Sequence, residues 1–329
     1  MIVLGIESTA HTFGAAIVNN KGQILSDVRD TFTTVEGGMI PTQVAEHHKQ
    51  VADTTIRKAL ADAKLTHVDL IVYSRGPGLA PCLHVGIAKA REYAKSFGCA
   101  VIGANHPMAH LTSGLLFTVA QDPVMLYLSG ANTQIIALEA GKYRVFGETE
   151  DIGLGNALDK FARVLGLGFP GGPKIEQLAL QGKWVELPYT VKGMDVAFSG
   201  IITRVSQLAQ KGIAQEDLCY SLQEVFFSMI TEVTERAMAH LRKKEVLLIG
   251  GVAANKRLCG MLGTMCKARG ARFFAVPTQY AGDNGAMIAW QGLLEYHAGR
   301  REKKLDIYPY ERCDEIDVIW KTAKPPLSK

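Results

Sequence analysis

The 329-residue chain has no apolar run approaching the ~20 residues that a membrane-spanning helix needs, and no secretory leader is expected ahead of its first strand. Its six cysteines (Cys82, Cys99, Cys219, Cys259, Cys266, Cys313) make no C-x-x-C pair and no dense framework, which suits a reducing cytosol rather than secretion. Cys259 and Cys266, seven apart, are better explained by core packing than by chemistry. The expectation is a cytoplasmic protein without a membrane partner. Charge of one sign is also scarce: the formal net charge is +4, compatible with a nucleic-acid partner but too mild to identify one. Basic residues gather at Arg242-Lys243-Lys244 and at Arg300, Arg301, Lys303 and Lys304. Both clusters fall near expected helix ends, where cations favour the macrodipole, so a solvated helix end explains them equally well.

What is present is enough apolar material, 47% of residues, to bury a large core, and a length that favours two lobes over one. Ile2-Val3-Leu4-Gly5-Ile6 reads as a buried strand, residues 7–14 as a polar turn, Ala15-Ala16-Ile17-Val18 as a second strand, and Asn20-Lys21-Gly22 as a turn into a third. The same order recurs at residues 123–142, with Ser129-Gly130-Ala131-Asn132-Thr133 as the polar turn, so the chain reads as two duplicated lobes. A helix over 41–64, a strand over 70–73, a turn at Gly76-Pro77-Gly78 and a helix over 85–97 alternate between the copies, which predicts an α/β architecture. The boundaries expected are 1–122 for the first lobe, with 287–329 packing back on it, and 123–286 for the second.

The residues with metal-binding chemistry lie in His106-Pro107-Met108-Ala109-His110. An apolar strand over 98–104, then Asn105 and a proline suited to a first helical turn, starts a helix near His106. Residues four apart share a helix face, so the two imidazoles can meet one cation, although an ordinary polar face has the same spacing. The motif lacks the glutamate of H-E-x-x-H, which removes the general base of a zinc protease. Three glycine-rich junctions stand at residues 166–172, at Gly250-Gly251-Val252-Ala253-Ala254-Asn255 between a strand and a helix, and at Gly282-Asp283-Asn284-Gly285. Such turns admit a nucleotide, with free helix amides favouring its phosphates. Glu176 beside the first is a candidate ribose ligand or an ordinary surface carboxylate. Asp283 at the third either caps a helix or reaches a metal held by the other lobe.

Together with Gly5-Ile6-Glu7-Ser8-Thr9, Ala45-Glu46-His47-His48 and Gly76-Pro77-Gly78-Leu79, these motifs closely resemble the universal tRNA threonylcarbamoyladenosine-forming family, once described as O-sialoglycoprotein endopeptidases. Residues 310–318 are similar to its archaeal and eukaryotic branch, whose members are the catalytic subunit of the KEOPS complex. The resemblance implies an actin-like and Hsp70-like ATPase fold, two duplicated ribonuclease-H-like lobes around a nucleotide cleft. It implies one divalent metal ion, iron or zinc, on His106, His110 and Asp283 with Tyr127 as ligand or neighbour. It implies an adenylate bound by Tyr127, Leu128, Ser129, Gly130, Ala131, Asp159, Gly172, Glu176 and Asn255.

The expected activity is transfer of the threonylcarbamoyl group from threonylcarbamoyl-AMP to the exocyclic amine of the adenosine beside the tRNA anticodon, with release of AMP. The expected ligands are threonylcarbamoyl-AMP and ATP or AMP, and the expected partners are tRNA and KEOPS subunits that include a small kinase-like ATPase. No residue stands out as a general base. Two alternatives stay open: a small-molecule kinase or ATPase of the same fold, though the first hairpin lacks the aspartate such enzymes place there, and a non-catalytic nucleotide-binding scaffold.

Overall fold

Strands rich in alternating small and branched residues form where the pattern places them. The structure, a computed structural model, describes residues 1–34 and 40–320. The chain divides into two units, Met1–Leu116 with Asp283–Lys329, and Phe117–Gly282. The second therefore ends at residue 282 rather than 286, and Asp283 belongs to the first. Residues 321–329 of the expected returning segment lie outside the described residues.

In the first unit β1 (Ile2–Glu7), β2 (Thr12–Asn19) and β3 (Ile24–Thr31) form an antiparallel meander. Helix α1 (Pro41–Asp62) leads to β4 (Leu70–Gly76), α2 (Ala80–Phe97) leads to β5 (Ala100–Asn105), and α3 (His106–Phe117) follows directly. Strands β4 and β5 run parallel to β1, giving the order β3-β2-β1-β4-β5. Helix α2 starts at Ala80 rather than residue 85 because Pro81, lacking an N–H to satisfy, fits its first turn.

In the second unit β6 (Val124–Leu128), β7 (Thr133–Glu139) and β8 (Lys142–Glu148) repeat the meander. Then come α4 (Leu154–Val164), α5 (Gly172–Ala179), the short pair β9 (Val191–Lys192) and β10 (Asp195–Val196), α6 (Ser199–Gln210) and α7 (Gln215–Leu241). Strand β11 (Glu245–Ile249), helix α8 (Lys256–Ala268), β12 (Arg272–Ala275) and α9 (Thr278–Ala281) complete it, and the order β12-β11-β6-β7-β8 is that of the first sheet, strand for strand. Both sheets thus have the ribonuclease-H-like topology, and the duplication read from the two hairpins is present.

Helix α10 (Gly285–His297) returns the chain to the first unit. Alternation within β1 explains why that strand is apolar up to Glu7: Leu4 and Ile6 pack with α1 and α2, while Val3 packs with Ala286, Ile288 and Leu293 of α10 on the opposite face. At its N-terminal end helix α10 also approaches the strand backbone itself. A Cβ at Gly5 would lie 2.0 Å from the Gly285 carbonyl oxygen, and one at Gly285 would lie 2.5 Å from the Ala16 nitrogen. Glycine at both positions allows this approach. Among the described residues no helix is long and apolar enough to cross a membrane.

Candidate metal centre and adenylate-binding segment

The metal motif is held by its first residue's neighbour. Asn105 ends β5, and its Oδ1 accepts a hydrogen bond from the Met108 amide at 3.1 Å, capping α3 so that His106 and His110 stand on the first turn and a half. The third member is placed by α10. Asn284 Oδ1 accepts from the Met287 amide at 2.9 Å, so Asn284 caps the helix and Asp283, just before the cap, is left to face the imidazoles. Asp283 Oδ1 lies 3.2 Å from His110 Nε2 and 3.5 Å from His106 Nε2. The capping role that the sequence left open for Asp283 falls to its neighbour. The cross-lobe reach is corrected too, because all three residues belong to one unit.

These residues fit a divalent ion. Bonds of about 2.0–2.1 Å to a tetrahedral ion separate its ligand atoms by roughly 3.3 Å, close to both spacings on Asp283. One ligand atom from each of the three residues lies within 4.8 Å of the other two. Two imidazoles and a carboxylate are the donor set of zinc and non-haem iron alike. The electrostatics demand positive charge. Burial alone depresses the His106 pKa, but the carboxylates of Glu7 and Asp283 outweigh it and raise it to about 9. Burial likewise opposes ionisation of Asp283, yet His106 and His110 hold its carboxyl well below the ordinary range. His110 is lowered by burial, with Asp283 opposing.

Glu7 is the functional residue that the sequence reading passed over as part of a turn. It is fully buried, and its Oε2 lies 3.0 Å from His106 Nδ1, which orients the ring so that Nε2 points toward Asp283. Its other oxygen accepts from the Thr9 amide at 2.7 Å and from the Thr9 hydroxyl. A carboxylate that holds the far nitrogen of a ligand histidine is a usual companion of a metal site. The available signal was a lone acid closing an otherwise apolar strand.

The second unit carries all the residues expected to bind adenylate. Tyr127 and Leu128 are buried at the end of β6, with Tyr127 beside Gln134 of β7 and Ile249 of β11. The turn after them is latched to the start of α4, where the Gly155 amide donates to the Ser129 carbonyl at 3.1 Å and the Asn156 amide donates to that of Gly130 at 3.0 Å. Ala131 packs against Gly153, where a Cβ would lie 2.6 Å from the Ala131 carbonyl oxygen. On α4, Asp159 Oδ1 accepts from the Gly171 amide at 2.7 Å and fixes the glycine turn that opens α5 at Gly172. Burial raises the Asp159 pKa against those turn amides. On α5, Glu176 accepts from the Lys256 amide at 2.8 Å, beside Asn255. Asn255 Oδ1 caps α8 through the Leu258 amide at 3.0 Å, and its Nδ2 donates to Gln223 at 3.3 Å. A continuous run of contacts therefore joins these residues.

One sequence expectation changes here. The amides of Lys256 and Leu258 at the head of α8 are already taken by Glu176 and Asn255, so that helix end is not an open phosphate cradle. The tight glycine of the junction is Gly250, with φ +94° and the Leu128 carbonyl oxygen 2.2 Å from its would-be Cβ, whereas Gly251 has nothing within 4 Å. Each basic cluster gives up at least one member to internal pairing. Lys243 is buried in ion pairs with Asp122 and Glu139, Arg300 pairs with Glu295 and Glu302, and the Arg301 guanidinium lies 3.5 Å over the Tyr296 ring.

Comparison with known proteins bears on both units. Residues 23–290 match the TsaD family, described as tRNA N6-adenosine threonylcarbamoyltransferase. The protein of that name from Thermococcus kodakarensis is 52% identical over 326 residues, covering 97% of this chain and 100% of its own. A probable bifunctional tRNA threonylcarbamoyladenosine biosynthesis protein of Methanosarcina mazei is 49% identical, and this chain covers 59% of it. Among solved structures, T. kodakarensis HypF aligns with TM-score 0.63 at 16% identity, over 91% of this chain and 48% of its own. The activator of 2-hydroxyisocaproyl-CoA dehydratase from Clostridium difficile aligns with TM-score 0.53 at 10% identity, over 93% of this chain and 100% of its own. These two show the fold alone, the actin-like ATPase fold. Full-length identity above half with a named relative settles the family, and the chain belongs to the tRNA N6-adenosine threonylcarbamoyltransferases.

Proposed function

We infer that this chain is the transferase that places a threonylcarbamoyl group on the N6 amine of a tRNA adenosine. The observation that carries this is 52% identity across the whole of a curated transferase of that name. The kinase and scaffold alternatives are not favoured, since the relatives at about half identity carry transferase or tRNA threonylcarbamoyladenosine biosynthesis names.

The finer reading takes threonylcarbamoyl-AMP as donor, the adenosine beside the anticodon as acceptor and AMP as the product released. Tyr127, Leu128, Ser129, Gly130, Ala131, Asp159, Gly172, Glu176 and Asn255 would bind the adenylate, Glu176 being suited to ribose hydroxyls. Asp159 and Asn255 already carry internal bonds, so they hold the shape of the segment as much as they touch ligand. His106, His110 and Asp283 would hold one ion of iron or zinc. When bound, such an ion supplies Lewis acidity toward a carbonyl oxygen that gains charge as an amine attacks. Glu7 fixes the His106 ring, and Asn105 and Asn284 fix the helix ends that present the ligands. The reaction needs positioning of a weak nucleophile more than a strong base.

A net charge of +4 over 329 residues offers few phosphate contacts unless the cations gather on one face. We therefore assign much of the tRNA grip to partner subunits of a KEOPS-type assembly, including a small kinase-like ATPase. The test is metal analysis of anaerobically purified protein beside a transfer assay with synthetic threonylcarbamoyl-AMP and tRNA, with and without partners. His110→Ala is expected to lose metal and transfer while keeping its fold, and a variant with full activity overturns the metal assignment. ATP-dependent phosphorylation of a small metabolite, without transfer, would return the reading to a kinase.

A further inference from the structure

The metal triad depends on α3 and the approach to α10 being held in register, and a chain of buried polar groups joins these two helices away from the ligands. On one side the Thr112 hydroxyl of α3 donates to Gln291 Oε1 of α10 at 2.8 Å, and Gln291 Nε2 donates to Glu295 Oε1 at 2.6 Å. Glu295 is ion-paired with Arg300, whose Nη2 donates to Glu302 Oε1 at 2.5 Å. Glu302 accepts from the Gly103 amide at 3.0 Å and lies 3.6 Å from Arg75 Nη1. Arg75 in turn forms a two-pronged pair with Glu311, both bonds 2.8 Å. Glu311 Oε2 accepts from Asn105 Nδ2 at 3.1 Å, and Asn105 is the residue that caps α3. The path leaves α3 at Thr112 and rejoins it at its cap, so it closes.

Burying this much polarity is costly unless every group is matched, and apolar side chains would pack the same space more cheaply. Gln291 and Asn105 are fully buried, and Glu295 is 1% exposed. What directional bonds supply and apolar packing does not is a fixed register of one helix against another. An ion tolerates errors of about 0.2 Å in its ligand distances. The segment after α10 is pinned to the same unit by backbone bonds as well as by Leu305 and Ile307 packing on its core. The Tyr308 amide donates to the Arg75 carbonyl at 2.7 Å, the Gly78 amide donates to that of Pro309 at 3.1 Å, and the Tyr73 hydroxyl donates to that of Asp306 at 2.8 Å.

We propose that this closed ring, completed by Arg300, Glu302 and Glu311 of the returning segment, positions His106 and His110 against Asp283 and so sets the affinity of the metal site. Thr112, Gln291, Arg75 and Glu311 are positioning residues that touch neither ion nor substrate. The inference rests on the metal reading above.

The experiment is titration of the full metal-free chain with Co²⁺ against a competing chelator, with thermal melting of each metal-free variant. Glu311→Gln, one step further out than a direct partner of a ligand, should weaken Co²⁺ binding by about 10-fold, the low end of what losing such a direct partner costs. Thr112→Val, which removes one hydroxyl at constant shape and leaves the buried Gln291 Oε1 without its donor, should weaken it in the same direction and lower melting modestly, and Thr112→Ser should restore both. Should Glu311→Gln not fold, the Val and Ser variants at position 112 decide. If His110→Ala abolishes Co²⁺ binding while Thr112→Val and Glu311→Gln bind as the parent does, the ring has no positioning role. If His110→Ala itself binds Co²⁺ normally, the metal reading fails first and this inference with it.

Discussion

Glu7 Oε2 and His106 Nδ1 lie 3.0 Å apart although 99 positions separate them in sequence, and the buried carboxylate determines which imidazole nitrogen is free to meet a metal. Glu7→Gln keeps the shape and removes the charge. Metal affinity is expected to fall by about 10–100-fold, read by isothermal titration, with the far-ultraviolet spectrum unchanged. Affinity equal to that of the parent would show that His106 needs no partner.

Gly250 and Gly251 should respond in opposite ways to alanine. At Gly250 a Cβ meets the Leu128 carbonyl in a left-handed backbone, so a loss of about 1–3 kcal/mol or more is expected. At Gly251 the space is open and stability should move by less than about 0.5 kcal/mol. A fall in AMP affinity in Gly251→Ala at constant melting temperature would place the ligand there, and unchanged calorimetric affinity would remove Gly251 from the adenylate surface.

Acid should destabilise the first unit through His48. This imidazole is fully buried and its Nε2 donates to the Ala10 carbonyl at 2.8 Å. Burial lowers its pKa from 6.5 to about 4, against the raising influence of that carbonyl. The unfolded chain binds the proton more readily, so the stabilisation is complete above pH 6.5 and is lost as pH falls through about 4. The full swing is about 3 kcal/mol. Urea unfolding at pH 7 and pH 4.5 should show a smaller loss in His48→Gln than in the parent, and equal losses in the two proteins would rule His48 out.

Two cations of one basic run should behave differently. The Lys304 side chain is 86% exposed and that of Arg300 is 19% exposed within its pairs with Glu295 and Glu302. Lys304→Glu should leave melting unchanged and, if it faces tRNA, lower the salt slope of binding by about one. Arg300→Glu should lower the melting temperature first. Filter binding over several salt concentrations, paired with calorimetry, separates the two, and an Arg300→Glu protein as stable as the parent would contradict the assignment.

Much of this was legible because it follows from local chemistry. The period-two apolar strands, the repeated hairpin and the Asn105-His106-Pro107 helix start each express a rule that acts within a few residues. The family motifs then gathered His106, His110 and Asp283 into one centre. What local pattern does not carry is which distant groups saturate one another. Glu7 looked like a turn residue because nothing near it in sequence shows that α3 begins beside it. Glu176 and Asn255 sit where a nucleotide was expected, but the amides between them are already bonded, a fact that depends on α5 meeting α8. Asp283 was assigned to the wrong unit because the chain crosses back one residue before it, at a point that no change of composition marks.

The first unit is assembled from two stretches of chain, 1–116 and 283–329. A ribosome making this protein finishes β1 to β5 and both histidines early, yet the sheet face that α10 covers stays bare until the whole second unit has been synthesised. Because domains fold as units while they emerge, the second unit can mature while the first still waits for its last helix. A metal on His106, His110 and Asp283, as proposed above, would be captured only after residue 283 has left the exit tunnel. A nascent chain arrested before that point would carry the two imidazoles without the Asp283 carboxylate, so metal loading would report that the second unit has been made.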